Sequence, residues 1–193
     1  VVSGQLTVTA ASDMPIAQNR SMGELGQTLA TFKFAAGTQE ALNLTKIIVT
    51  DTISGTAATG TIVNLKLFNP SGVQVGPTVS SIASDGTATF DGLTYSLAKD
   101  KSEVLTLKGD INGYPNGVSG STHTFSIANA AALTTTGAIS GQAISETVTS
   151  ASGNAQRAYR SELSVTNAMS NLSAQVGNSS QLIGKYEFTN TSA

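Results

Sequence analysis

The sequence contains no cysteine and no tryptophan, has one histidine, and only 11% of its 193 residues are charged. The lack of cysteine excludes a disulfide framework, a thiolate metal site and a cysteine nucleophile. The ten Lys and Arg residues are scattered and the formal net charge is -2, which argues against nucleic acid or an anionic membrane as a partner. No apolar run reaches the 18 or more residues of a membrane span, so we predict no membrane insertion in this segment.

No signal peptide opens the sequence, and we expect Val1 to be an internal or processed start of a longer chain. The polarity of the chain comes from Ser, Thr, Asn and Gln, together with 19 Gly, rather than from charge. This composition is frequent in secreted and cell-surface β proteins. A domain of this size has a sufficient core and does not require disulfides outside the cell.

The dominant pattern is a two-residue alternation of apolar and polar side chains, which is the period of a β-strand. Turn signals interrupt it at intervals of about 8–12 residues, which predicts an all-β fold, an antiparallel immunoglobulin-like β-sandwich. We expect turns at 69–72 and 91–92, a helical turn around 128–133, and a last strand or extended tail around 143–149. The predicted core residues are Leu6, Val8, Phe32, Phe34, Leu44, Ile47, Val49, Leu65, Leu67, Phe90, Leu93, Tyr95, Leu105, Leu107, Phe125 and Ile127.

The opening of the chain reappears near its end. Residues 5–9 (Gln-Leu-Thr-Val-Thr) match residues 162–166 (Glu-Leu-Ser-Val-Thr). Residues 31–34 (Thr-Phe-Lys-Phe) match residues 185–188 (Lys-Tyr-Glu-Phe) once a short gap is allowed. Self-similarity at a fixed period indicates a tandem array, and at this spacing the repeating unit is a whole domain.

We therefore predict three parts: an immunoglobulin-like module at 1–150, a linker at 151–161, and the truncated start of a second, similar module at 162–193. Within the linker, Arg157 and Arg160 place a small cationic spot near a tyrosine, and we interpret it as a packing contact between modules.

Two strands cannot build a sandwich core, and an isolated hairpin is marginal in water. The apolar face of the second segment should therefore pair with an exposed sheet edge, in its own module or in a neighbouring molecule. The alternative is that this tail packs against the first module. The residues predicted to form the assembly edge are Leu163, Val165, Tyr186 and Phe188.

Six stretches of sequence occur here in a characteristic order: 6–8 (Leu-Thr-Val), 32–36 (Phe-Lys-Phe-Ala-Ala), 64–68 (Asn-Leu-Lys-Leu-Phe), 84–93 (Ser-Asp-Gly-Thr-Ala-Thr-Phe-Asp-Gly-Leu), 103–111 (Glu-Val-Leu-Thr-Leu-Lys-Gly-Asp-Ile) and 119–127 (Ser-Gly-Ser-Thr-His-Thr-Phe-Ser-Ile). Together they resemble the tandem immunoglobulin-like domains of large bacterial cell-surface, S-layer-like and adhesin-like proteins. The resemblance implies a β-sandwich, export, and a structural or adhesive role. It transfers no catalytic residue.

The function predicted from these observations is a non-enzymatic structural module of a repetitive extracellular surface protein. It would act as a spacer, an S-layer-like lattice element or an adhesin stalk on a bacterial cell surface, with neighbouring copies or adjacent repeats as partners. One alternative is a subunit of a pilus-like filament assembled by β-strand donation. Another is a carbohydrate- or cell-wall-binding module, for which only Tyr114 and Tyr159 are expected to offer exposed rings to a glycan.

His123 is the one side chain suited to acid–base chemistry near neutral pH. It shares strand parity with Phe125 and Ile127, and no serine lies in a Gly-x-Ser-x-Gly elbow. We therefore interpret it as a partly buried structural histidine.

The loop that begins at Asp110 briefly resembles a calcium loop, with Asn112 and Asn116 as further oxygen donors. The EF-hand pattern fails, because Tyr114 and Ser121 stand at its fifth and twelfth positions. Asp110, Asn112 and Asn116 remain the candidate calcium ligands, and no other cofactor is predicted. The alternative is an Asn/Gly turn whose side chains bond to the local backbone.

Overall fold

The computed structural model describes residues 4–56, 58–169 and 184–192. In this part of the chain the regular structure is β, apart from single 3-10 turns at Thr59–Thr61 and Ala130–Ala132. The strands are β1 Gln5–Ala10, β2 Gln18–Ser21, β3 Gln27–Ala36, β4 Leu42–Gly55, β5 Ile62–Phe68, β6 Gln74–Ser81, β7 Thr87–Leu97, β8 Ser102–Ile111, β9 Ser121–Ser126, β10 Leu133–Gly137, β11 Ser145–Val148, β12 Gln156–Tyr159, β13 Ser161–Asn167 and β14 Tyr186–Ser192.

Two sheets pack against each other. The first has the strand order β11-β1-β3-β8-β5-β6. The second has the order β10-β4-β9-β12-β2, with β7 paired to the opposite edge of β4. Apolar side chains from both sheets form one buried cluster, whose members lie between Leu6 and Ala158. The fold is therefore an all-β sandwich with its core between the sheets.

Every predicted core residue is buried except Tyr95, which is half-buried against the cluster. The Tyr95 hydroxyl donates a hydrogen bond to Oε2 of Glu103, which joins β7 in the second sheet to β8 in the first. Burial raises the pKa of Tyr95, and the bond to Glu103 raises it further. The two-residue alternation was thus sufficient to identify the inward face of the strands that contain these residues.

The predicted turn at 69–72 is confirmed, but the one at 91–92 is wrong. Strand β7 continues through 91–92, and its pairing with β4 shifts register between Tyr95 and Asp91. Gly92 adopts φ +67°, and its N–H donates to the Asp91 carboxylate at 2.8 Å. Because β4 is long enough to pair on both sides of this point, the dipeptide forms a β-bulge instead of a hairpin.

The sequence predicted antiparallel pairing throughout, but two of the pairings are parallel. β1 pairs with β11 and β2 pairs with β12 in parallel. Each pairing places a strand from the last part of the sandwich beside one from its beginning. The sheets are therefore mixed, and the immunoglobulin-like topology stays a prediction.

The segment 151–161, predicted as a linker, contains strand β12 of the sandwich. β12 pairs with both β2 and β9, and the side chains of Gln156 and Ala158 are buried. The polar side chain of Gln156 is accommodated because its Oε1 accepts a hydrogen bond from Nε of Arg20 at 3.0 Å. Arg160 alone separates β12 from the next strand.

The chain passes from one end of the sandwich to the other. At the leading end, where β1 begins, the N–H of Gly37 just after β3 donates to the carbonyl of Gln5. At the trailing end, the N–H of Met22 donates to the carbonyl of Tyr159, and the N–H of Gly23 donates to the carbonyl of Ile111. Ile111 ends β8 beside the start of β3. The two ends are thus separated by the length of β3, whose ten residues span about 33 Å.

Beyond Arg160 the chain forms a separate antiparallel hairpin of β13 and β14. Its register repeats that of β1 and β3: Val165 lies opposite Phe188, as Val8 lies opposite Phe34. The strand pairing therefore follows the sequence repeat.

Candidate functional site

A buried polar cluster joins β4 to β9. Nδ1 of His123 lies 2.6 Å from Oδ2 of Asp51, and Nε2 lies 3.1 Å from Oγ of Ser121. The Ser121 hydroxyl donates to the carbonyl of Val118 at 2.9 Å. The imidazole also stacks on the ring of Phe125, with 6.4 Å between the ring centroids. His123, predicted to be a partly buried structural histidine, is fully buried.

The hydrogen-bonded series Asp51–His123–Ser121 has the arrangement of a catalytic triad, but its surroundings do not suit catalysis. All three side chains are buried within the sandwich, so a substrate has no access to the serine hydroxyl. Oδ1 of Asp51 is buried and accepts no hydrogen bond from the described residues. We interpret the cluster as a structural link between two strands, held by a short hydrogen bond in a medium of low dielectric constant.

The candidate calcium ligand Asp110 has protein partners for both carboxylate oxygens. Oδ1 accepts from the N–H of Gly26 at 2.7 Å, and Oδ2 accepts from Nδ2 of Asn64 at 2.9 Å. Asn64 has φ +52° and lies where the β5–β8 register shifts. The Asp110 carboxylate, at the end of β8, is thus hydrogen-bonded to the loop that contains Gly26 and to the irregularity in β5 that contains Asn64.

The other two candidate ligands lie further along the same loop. Nδ2 of Asn112 donates to the carbonyl of Gly60 at 3.1 Å, while Asn116 is exposed at the loop surface. No group of three or more His, Cys, Asp or Glu suited to a metal ion occurs among the described residues. The Asp110 and Asn112 side chains bond to residues distant in sequence rather than to the local backbone. Calcium binding stays a prediction.

The junction between sandwich and hairpin is organised around Arg160. Its N–H donates to Oγ of Ser119 at 3.1 Å, and its guanidinium carbon lies 4.1 Å from the centroid of the Tyr114 ring. Of the two arginines predicted to lie near Tyr159, Arg157 lies over that ring, at 5.3 Å. Stacking of a guanidinium on an aromatic face stabilises this arrangement by about 0.5–1 kcal/mol at an exposed site.

A cleft of about 500 Å³ opens at this junction, and we call it the Tyr114 cleft. Tyr114 is 67% exposed, but Arg160 covers one face of its ring, and Tyr159 is only half-buried rather than exposed. The pair therefore does not form the open aromatic platform that a glycan site would need. The cleft is lined by Met22, Gly23, Gly113, Tyr114, Arg160, Ser161 and Asn190.

The four residues of the predicted assembly edge lie on one face of the hairpin. Directly opposed residues share a face, and the pairs are Val165 with Phe188, Leu163 with Asn190, and Asn167 with Tyr186. The four apolar side chains are between 51% and 67% exposed. The hairpin thus presents an apolar surface, whose pairing with a sheet edge stays a prediction.

The leading end carries a tight turn that the sequence analysis did not identify. The carboxylate of Glu40 accepts hydrogen bonds from the N–H groups of Ile139 and Ser140, both at 3.0 Å, and from the Ser140 hydroxyl at 2.8 Å. We call residues 137–141 with Glu40 the Glu40 turn. The bonds from Ser140, together with that from Ile139, hold the pKa of the Glu40 carboxyl below its ordinary value.

Replacing Glu40 with glutamine is expected to destabilise the sandwich at pH 7 and to have little effect in acid. A carboxyl whose pKa is lowered by folding contributes stability above its unfolded pKa of about 4.3. That contribution is lost as the pH falls through the folded pKa. Urea unfolding of both proteins between pH 7 and pH 3 should show midpoints that converge below about pH 4.

The matched control is Glu187→Gln, which makes the same chemical change at an exposed position on the hairpin. It should leave the unfolding midpoint of the sandwich unchanged at every pH. A midpoint difference for Glu40→Gln that stays constant down to pH 3 would contradict this role for the carboxylate.

Because comparison with known proteins found no match, a functional proposal for this chain depends on its sequence, its fold and these sites. No protein-family model matches the chain, and no curated protein matches it. None of the described residues forms a helix long and apolar enough to cross a membrane.

Proposed function

We propose that this chain is a structural module of a repetitive extracellular surface protein, in which sandwiches follow one another end to end as spacers. The observation that supports it is the path of the chain. It begins β1 at the leading end, ends β12 at the trailing end, and then starts a hairpin with the register of β1 and β3. A bacterial cell-surface location is supported by the weakly charged, polar composition and by the resemblance described above.

The junction suits a stiff array. One residue, Arg160, separates β12 from β13, and both its backbone and its side chain contact the 112–120 loop through Ser119 and Tyr114. A flexible linker would allow adjacent modules to rotate freely, whereas this junction restrains them. Each added module would lengthen the array by about the length of β3, roughly 33 Å.

A tandem chain tests the proposal. Residues 1–161 would be followed directly by residues 5–193, which completes a second sandwich because Gln5 corresponds to Glu162. We expect small-angle scattering to give an elongated particle whose maximum dimension exceeds that of the single chain by roughly 33 Å. A second sandwich that fails to fold, or a folded pair that does not lengthen, would overturn the proposal.

The exposed apolar face of the hairpin favours one second candidate, a filament assembled by strand donation. Light scattering of the 1–193 chain across a concentration series, with calcium and then with chelator, separates the two. The spacer predicts a monomer throughout, whereas growth into large assemblies would support the filament. Growth that is abolished by Phe188→Asp, but not by Thr189→Asp on the same strand, would assign assembly to the apolar face.

A further inference from the structure

The two ends of the sandwich have complementary features. The trailing end carries the Tyr114 cleft, which is lined by the exposed Tyr114 ring and by Met22, a residue that is almost fully buried. The leading end carries Ile139, which is 87% exposed at the tip of the Glu40 turn. A fixed apolar side chain at one end and an open cleft at the other suggest a head-to-tail contact.

The Glu40 turn holds Ile139 in a fixed position relative to the start of β1. The same carboxylate that accepts from the N–H groups of Ile139 and Ser140 also accepts from the backbone of Gly4. Gly4 immediately precedes β1. The side chain is therefore presented without the ordering cost that a mobile loop would add on binding.

The repeat places this turn next to the cleft. Since Gln5 corresponds to Glu162, Gly4 corresponds to Ser161, and Ser161 lines the Tyr114 cleft. In a tandem array, Ser161 would take the place of Gly4 in the following copy and would bond to the Glu40 turn of that copy. That turn would therefore lie against the Tyr114 cleft of the preceding copy.

We propose that the Tyr114 cleft binds the leading end of the following copy of this chain, with Ile139 of that copy packed against Tyr114 and Met22. This inference rests on the tandem arrangement proposed above. The stacking of Arg160, which also lines the cleft, holds the Tyr114 ring in place. Because the two modules are covalently joined, the local concentration of the turn is in the millimolar range or above, and a small contact is enough to hold them.

Cross-linking in the tandem chain tests this contact, because the natural sequence has no cysteine. Gly113→Cys in the first copy places a thiol at the cleft, where a Cβ has open space. Ala138→Cys in the second copy places another beside Ile139, at an exposed position. A short bifunctional thiol reagent should join the two within one molecule, and Ile139→Ser in the second copy should remove most of the product.

In two controls, the substitution at the leading end is moved from the second copy to the first copy, where that end is free. With both cysteines in the first copy, the thiols lie at opposite ends of one sandwich, and no intramolecular product is expected. Ile139→Ser in the first copy, whose leading end has no preceding module, should leave the yield unchanged.

The outcomes separate this inference from the function on which it rests. An elongated, folded pair without the cross-link, or with a yield unaffected by Ile139→Ser in the second copy, would overturn the docking and leave the spacer intact. Failure of the tandem chain to fold or lengthen would overturn the spacer itself.

Discussion

Replacing Asp51 with alanine is expected to lower the free energy of unfolding by about 3–5 kcal/mol. The change removes the carboxylate that lies 2.6 Å from Nδ1 of His123, and it leaves that nitrogen without a hydrogen-bond partner in the core. It also removes the buried side-chain link between β4 and β9, whose backbones remain paired. Urea unfolding followed by circular dichroism measures the loss.

The contribution of the pair is separated from that of burial by a double-mutant cycle. Asp51→Ala combined with His123→Leu should cost less than the sum of the two single changes. The reason is that the double variant removes both members of the pair and leaves neither of them buried without its partner. Asp13→Ala removes an exposed carboxylate and should change stability by no more than about 0.5 kcal/mol. Additive costs, or a loss below about 1 kcal/mol for Asp51→Ala, would show that the cluster is not a structural link.

Replacing Gly76 with alanine is expected to cost roughly 2–5 kcal/mol. Gly76 lies in β6 with φ +75°, a conformation that L-residues avoid. An added Cβ would also overlap Cδ2 of Leu93, a buried residue of β7. The glycine therefore permits β6 in one sheet to approach β7 in the other, at the edge where the sandwich closes.

The chain supplies a control for the backbone term alone. Gly72 has φ +76°, but an added Cβ there meets no atom within 4 Å. Gly72→Ala should cost about 1–2 kcal/mol, the strain of the left-handed conformation. If the two variants unfold at the same urea concentration, the close approach to Leu93 makes no separate contribution.

The sequence was most informative where structure depends on neighbours along the strand. Alternation at positions such as Leu105 and Leu107 is local, and it identified the buried faces without knowledge of the pairing. The turn at 91–92 was predicted wrongly because the dipeptide alone does not distinguish a hairpin from a bulge. That choice depended on β4, which pairs with β7 on both sides of the bulge.

The candidate sites were largely hidden because their members are distant in sequence. His123 stood out as a lone histidine, but its partner Asp51 is 72 positions away. The alternation places Asp51 on the same face as Ile47 and Val49, but it does not show which side chain an inward acid would meet. Glu40 likewise contacts a turn about 100 positions later. The polar residue Gln156 resembled linker sequence because its hydrogen-bond partners, Arg20 in β2 and the carbonyl of Ile16 in the preceding loop, are distant in sequence.

Tension applied along a chain of such modules would load the sandwich in a definite geometry. Force would enter at Gln5 and leave at Tyr159, at opposite ends of strands β1 and β12. Each of these strands is hydrogen-bonded on both sides, β1 to β11 and β3, and β12 to β2 and β9. Pulling lengthwise would load all the bonds of a strand in shear at once, instead of opening them one after another from an end. The same path that joins the modules would therefore make each of them resistant to stretching.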